Sequence, residues 1–275
     1  MLTAFILFVC LGASMAVVPQ APLLSRRATG PYTTVDLIAA EPAPAVGAVY
    51  WIALRFNLEP GWHVYWQNPG DSGSPPALRW QLPDGVRAGD IEWPAPERIE
   101  AGTLVNYGYE NGVVLPIPLR VGARLKPAQV IHVGLQVKWL VCKDLCVPGQ
   151  ARLDLRVPLT DADRAEVLGW KRLIDQARAR VPKPAPVAWK TSARSTKDSF
   201  VVTIDTGRRE GEGVFFPLDV SQINDSAPQQ VRPRDRGLEM TLRKSDQLSA
   251  EPTQLRGVLA LPGRPAHVVE ARVEK

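Results

Sequence analysis

Three cysteines in 275 residues are too few for a disulfide-built scaffold. The three histidines, His63, His132 and His267, show no His-x-His or His-x-x-x-His spacing, so no histidine-pair metal motif is present. No run of Lys or Arg exceeds two residues (Arg26-Arg27, Lys171-Arg172, Arg208-Arg209), so the net charge of +5 is spread out and makes no nucleic-acid patch. There is no Walker loop, no Gly-x-Gly-x-x-Gly after a strand and no Gly-x-Ser-x-Gly, which removes the common nucleotide-binding and hydrolase signatures. Beyond the N-terminus no apolar run approaches membrane length. What is abundant is turn chemistry, with 26 prolines and 21 glycines. With 45% hydrophobic and 22% charged residues, the composition is globular and of one or two domains.

The first segment bears on the compartment. Leu2 to Leu11 form an apolar stretch followed by Ser14-Met15-Ala16, a small-x-small cleavage pattern, although Met1-Leu2-Thr3 supplies no Lys or Arg. The expectation is export to the periplasm with cleavage after Ala16. The alternative is an uncleaved N-terminal anchor, since Met1 to Val18 only just reaches spanning length. Cys10 leaves with the leader, and Phe8-Val9 before it lacks the small residue of a lipobox. Two thiols then remain in an oxidising space, Cys142 and Cys146.

The remaining chain divides into two β-rich halves. From Tyr32 to Val157 short alternating runs are separated by Pro/Gly turns. They are Val49–Phe56, Trp62–Trp66, Ala77–Leu82, Asp90–Trp93, Val113–Val121, Ile131–Val141 and Ala151–Val157. Pro116 and Pro118 place the Val113–Val121 strand at an edge or a bulge. Six of the eight tryptophans lie between Trp51 and Trp139, so the main aromatic core belongs to this half. Thr160-x-x-Asp163 is a capping box, and Val167, Trp170, Ile174, Ala177 and Val181 recur at helical spacing. Val181-Pro182-Lys183-Pro184-Ala185-Pro186 ends that helix as a stiff linker. Further strands are expected at Ser199–Thr206, Val214–Phe216, Leu238–Leu242, Arg256–Leu261 and His267–Val273. The predicted fold is mostly β: two immunoglobulin-like sandwiches joined by one helix and a Pro-rich linker. Residues 22–158 make the first, 160–186 the connection, and 187–275 a smaller second sandwich.

The thiol pair sits between two strongly alternating runs, in Trp139-Leu140-Val141-Cys142-Lys143-Asp144-Leu145-Cys146-Val147-Pro148. Four residues of extended strand span about 13 Å, while a disulfide needs Cα atoms within roughly 7 Å, so a bonded pair requires a fold-back. Closing a five-residue loop stabilises by only about 2 kcal/mol, a weak staple. Lys143 favours a thiolate and Asp144 opposes it. A redox-active pair, a structural bridge and a pair of metal ligands all remain open from these residues. His63 is most simply a polar residue on an aromatic strand, and Glu97 and Glu100 read as solvated charge.

Gly61-Trp62-His63-Val64-Tyr65-Trp66-Gln67-Asn68-Pro69-Gly70-Asp71-Ser72-Gly73, Pro75-Pro76, Tyr107-Gly108-Tyr109 and Trp139 to Pro148 resemble the N-terminal periplasmic domain of the DsbD/ScsB thiol:disulfide interchange family. Phe215-Phe216-Pro217 and Leu255 to Leu259 fit its copper-sensitivity-suppressor branch, as does the three-residue spacing of the cysteines. The resemblance implies an immunoglobulin-like domain in which Cys142 and Cys146 exchange disulfides and no cofactor is needed. Electrons would come from a membrane-embedded reductase on a separate chain and pass to periplasmic thioredoxin-like or disulfide isomerase proteins. It also implies a cap over the pair, matched here by Leu104, Tyr107 and Tyr109. Cys146, past the fold-back, is expected at the rim and in contact with partners, with Cys142 buried and resolving. The alternative function is a copper(I) site made by Cys142, Cys146 and His63, since soft sulfur suits that ion. A non-catalytic adhesion-type sandwich is the third reading.

Overall fold

The computed structural model describes residues 25–40, 49–122, 130–158 and 168–274. The leader with its cleavage site, the capping box and Val167 therefore lie outside the described residues.

Alternation decides the first half. In Val130–Cys142 the odd-numbered residues from Ile131 to Val141 are buried and His132, Gln136 and Lys138 face outward or lie partly covered. This strand, β10, runs antiparallel to β11 (Cys146–Pro158) in an unbroken register from Val130↔Pro158 to Cys142↔Cys146. The earlier strands are β1 (Ala28–Gly30), β2 (Thr33–Ala39), β3 (Val49–Leu58), β4 (His63–Gly70), β5 (Ala77–Gln81) and β6 (Val86–Ala88). Then come β7 (Glu97–Ala101), β8 (Leu104–Glu110) and β9 (Gly112–Val121). They form two facing sheets, β1-β2-β3-β9-β6 and β11-β10-β4-β8-β7, with β5 added to β10. The core between them includes Trp66, Phe56, Tyr50 and Tyr107, all essentially inaccessible. Burying side chains of that size contributes about 2–3 kcal/mol each.

The expected strand at Asp90–Trp93 does not form, and Pro116 and Pro118 give the reason. The amides of Gly89 and Glu92 donate to the carbonyls of Pro118 and Pro116, while the prolines have no N–H to return. The segment is therefore held by one-sided bonds rather than a ladder. Those prolines occupy the stretch of β9 that β6 leaves uncovered, an edge position locally, as the sequence required.

The helix α1 (Leu168–Ala179) lies on the outer face of the first sheet. Ile174 packs with Ile38, Ala40 and Ala53, and Trp170 and Leu173 flank them. This is why β2 is buried on both faces. Asp36, fully buried there, is paired with Arg55 at 2.8 Å and Arg27 at 3.1 Å.

The second sandwich contains β12 (Lys183–Pro184), β13 (Lys190–Ser195), β14 (Ser199–Asp205), β15 (Val214–Pro217), β16 (Gln230–Arg234), β17 (Gly237–Arg243), β18 (Gln254–Ala260) and β19 (His267–Glu274). Part of the Pro-rich linker is not free, because β12 pairs with β19. Phe215 and Phe216, adjacent on β15, point to opposite faces and enter different cores. Phe215 joins the second core, and Phe216 packs edge-on against Tyr107 (5.2 Å) and Trp66 (6.3 Å) of the first. Asn68 Nδ2 donates to the Pro217 carbonyl at 2.8 Å, and the Tyr107 hydroxyl donates to Asp225 at 2.9 Å.

The junction is expected to weaken as the pH rises. Burial pushes the Asp225 carboxyl up to about 6; the Tyr107 hydroxyl and Arg98 oppose the rise and Asp71 adds to it. A carboxyl raised by folding contributes full stability below its unfolded pKa and loses it as the pH climbs through the folded value. The loss here is on the order of 2 kcal/mol. His63 and His267, both lowered by burial, act in the opposite direction over the same window. The Asp225→Asn variant isolates the carboxylate. From pH 5 to 7.5 the wild-type Tm should fall roughly 4–8 °C relative to that of the variant, measured by calorimetry. Parallel Tm curves would remove the assignment.

Candidate redox site

The β10–β11 hairpin turns through Lys143, Asp144 and Leu145, all exposed, and brings Cys142 directly opposite Cys146. Their Cα atoms are 4.2 Å apart and the sulfurs are bonded. The required fold-back is thus the hairpin turn itself. Cys142 is 2% accessible and Cys146 is exposed, the burial order expected from the sequence.

β4 supplies the floor. His63 is the cross-strand partner of Cys142, and Tyr65, two residues on, shares its face. The Tyr65 hydroxyl donates to Cys142 Sγ at 2.8 Å and lies 3.4 Å from Cys146 Sγ. Burial raises the Tyr65 pKa, with a hydrogen bond to Ser72 opposing, so the hydroxyl is a neutral donor. Its ring fits beneath Gly73, where an added Cβ would lie 2.1 Å from the ring. Gly73 also has φ +85°, a conformation that favours glycine. His63 is buried, its Nε2 has no hydrogen-bond partner, and desolvation lowers its pKa, so it is neutral.

A pocket of about 450 Å³ opens beside the two cysteines. Its opposite wall is the β7–β8 hairpin, through Ile99, Gly102, Leu104 and Asn106. The three expected cap residues do not assemble there. Leu104, 42% exposed, lines the pocket, whereas Tyr107 and Tyr109 are buried in the core. The Tyr109 hydroxyl donates to the Pro94 carbonyl at 2.7 Å. The reason is the period of two: in β8, residues 104 and 106 face the pocket and 105, 107 and 109 face the core. Burial raises the pKa of both tyrosines, so they remain neutral there.

A disulfide at a hairpin tip, one sulfur exposed and the other under a tyrosine hydroxyl, now has a family context. Residues 34–158 match the N-terminal domain of the thiol:disulfide interchange protein DsbD. The resemblance read from the Gly61–Gly73 and Trp139–Pro148 stretches thus extends over residues 34–158, most of the first sandwich. The crystal structure of the N-terminal periplasmic domain of ScsB from Proteus mirabilis superposes with a TM-score of 0.70 at 18% identity, covering 93% of this chain and 100% of that one. This extends the shared fold beyond the DsbD-like domain into the second sandwich. The YadV chaperone, 13% identical over 86% of this chain and 98% of its own, superposes at a TM-score of only 0.20, too low to imply a shared fold. No curated protein sequence matches the chain. Among the described residues no group of three or more His, Cys, Asp or Glu is placed to hold a metal ion. Also among the described residues, no helix is long and apolar enough to cross a membrane.

Sequence reasoning passed over Tyr65. The residue stood inside the resembling stretch, and its two-residue spacing from His63 on a strand was the available signal.

Proposed function

We propose that this protein is a periplasmic thiol:disulfide exchange component whose working groups are Cys142 and Cys146. Electrons would arrive from a membrane-embedded thiol–disulfide reductase on a separate chain and leave to thioredoxin-like or disulfide isomerase proteins. In the reduced state the Cys146 thiolate attacks a partner disulfide, one partner sulfur departs as a thiolate, and a mixed disulfide forms. The Cys142 thiolate then attacks Cys146 Sγ, the partner's second sulfur leaves, and the Cys142–Cys146 bond is remade. Two electrons have passed to the partner. The observation that carries this reading is the asymmetry of the pair: an exposed sulfur at a pocket and a buried one beneath the Tyr65 hydroxyl. A structural bridge gains nothing from such access, and a loop this short staples little.

Equilibration of the protein with thiol–disulfide buffers tests it. An exchanging pair should titrate at a potential above about −300 mV, within reach of cellular dithiols. A bridge that stays oxidised well below that value would sink the proposal.

A further inference from the structure

We infer that the second sandwich positions the wall of the redox pocket, with Asp225 as the positioning residue acting through Tyr107. The inference rests on the exchange reading for its purpose, but its geometry stands apart from it. The wall is the β7–β8 hairpin, and β7 is the last strand of its sheet. On the other side β8 pairs with β4 at Val64↔Tyr109 and Tyr65↔Gly108, and then the register breaks, resuming at Gly70↔Asn106. Main-chain pairing with β4 is therefore interrupted between Tyr65 and Gly70, and at the end of β8 that carries Leu104 and Asn106 into the pocket it is reduced to Gly70↔Asn106 and the Asp71 amide on the Val105 carbonyl at 3.0 Å.

Side chains reinforce that end from two directions. From the first sandwich, an Asp71 carboxylate oxygen accepts the Val105 amide at 2.8 Å and Ser72 Oγ donates to Asn106 Oδ1 at 2.9 Å. From the second, Asp225 accepts the Tyr107 hydroxyl, and Arg98 of β7 donates to the carbonyls of Asp225 (3.5 Å) and Ser226 (3.4 Å). Because Tyr107 lies on the opposite face from Leu104 and Asn106, Asp225 holds the hairpin from behind, opposite the sulfurs. The Asp225 loop is itself rigidly tied: the Asn224 side chain accepts the Ala227 amide and the Ser226 hydroxyl, and Ile223 is buried in the second core. Asp71, Arg98 and Tyr107 are the titratable groups acting on the carboxylate.

The test uses the full chain carrying Cys142→Ser, with Cys10→Ser wherever the leader is retained, so that Cys146 is the single thiol, and measures its alkylation by iodoacetamide. Adding Asp225→Ala should raise the rate about fivefold or more, and Asp225→Asn, whose amide oxygen still accepts the Tyr107 hydroxyl, should stay within about twofold of the parent. Amide exchange should quicken at residues 99–106 and not in β10 or β11. An unchanged alkylation rate in a natively folded Asp225→Ala protein, or exchange that quickens everywhere, would overturn the inference. Should Asp225→Ala fail to fold, Tyr107→Phe removes the same hydrogen bond without a cavity and decides in the same way. Failure of the exchange reading registers elsewhere, as an absence of partner adducts in the Cys142→Ser parent, and leaves the alkylation comparison intact.

Discussion

Cys142→Ser should accumulate mixed disulfides with proteins of its compartment, and Cys146→Ser should accumulate roughly tenfold fewer. Thiol–disulfide exchange proceeds by in-line attack, so the sulfur that meets a partner must be approachable along the sulfur–sulfur axis. Cys146 is exposed at the start of β11, while Cys142 is 2% accessible, with the Tyr65 hydroxyl on its sulfur. Removing Cys142 leaves the approachable thiol without the group that would release its partner, so the intermediate persists. Removing Cys146 leaves a thiol no partner reaches. Non-reducing electrophoresis after acid quenching reads both outcomes. More adducts from Cys146→Ser would reverse the roles, and none from either variant would remove the exchange reading.

Gly73→Ala should lower the Tm by roughly 5–10 °C and also disturb the redox pair, a combination a remote core mutation would not give. The new methyl group would sit within 2.1–2.5 Å of three atoms of the Tyr65 ring, on a backbone with φ +85°. The strained conformation costs about 1 kcal/mol and the overpacking about 1–3 more. Tyr65 is fully buried, so the ring can yield only by shifting, and its hydroxyl then leaves the sulfurs. A hydrogen bond to a thiolate is stronger than one to a disulfide sulfur, so its loss disfavours the reduced state. The reduction potential should fall by about 10–30 mV. Tyr65→Phe separates the two effects, with a similar fall in potential and a smaller change in Tm. A Gly73→Ala protein with wild-type Tm and potential would mean the ring has room, against this account.

The first sandwich was legible because its signals are local. Val130–Cys142 alternates cleanly, and the two-cysteine spacing forced a fold-back that the hairpin turn supplies. Of the three expected cap residues only Leu104 lines the pocket, for an equally local reason: Leu104 and Tyr107 are an odd number of residues apart, so one strand cannot present both to the same pocket. β13 and β16 escaped notice because Lys190–Ser195 and Gln230–Arg234 carry almost no apolar residues. They are strands through their pairing with β14, β17 and β19, not through their own propensity. Nothing near Phe216 or Asp225 in the chain signals that they meet Tyr107 more than one hundred residues earlier.

Synthesis runs from the N-terminus, and the first sandwich is not finished when its last strand emerges. Two of its buried core residues, Phe216 and Val258, are supplied by β15 and β18. Until those strands are made, the face of Trp66 and Tyr107 that Phe216 covers is open, and Tyr107 lacks its carboxylate acceptor. A nascent chain that has passed Pro158 therefore carries its two cysteines before it can complete the core behind their pocket. The consecutive phenylalanines of β15 belong one to each core, so neither sandwich has its full core until the C-terminal half arrives.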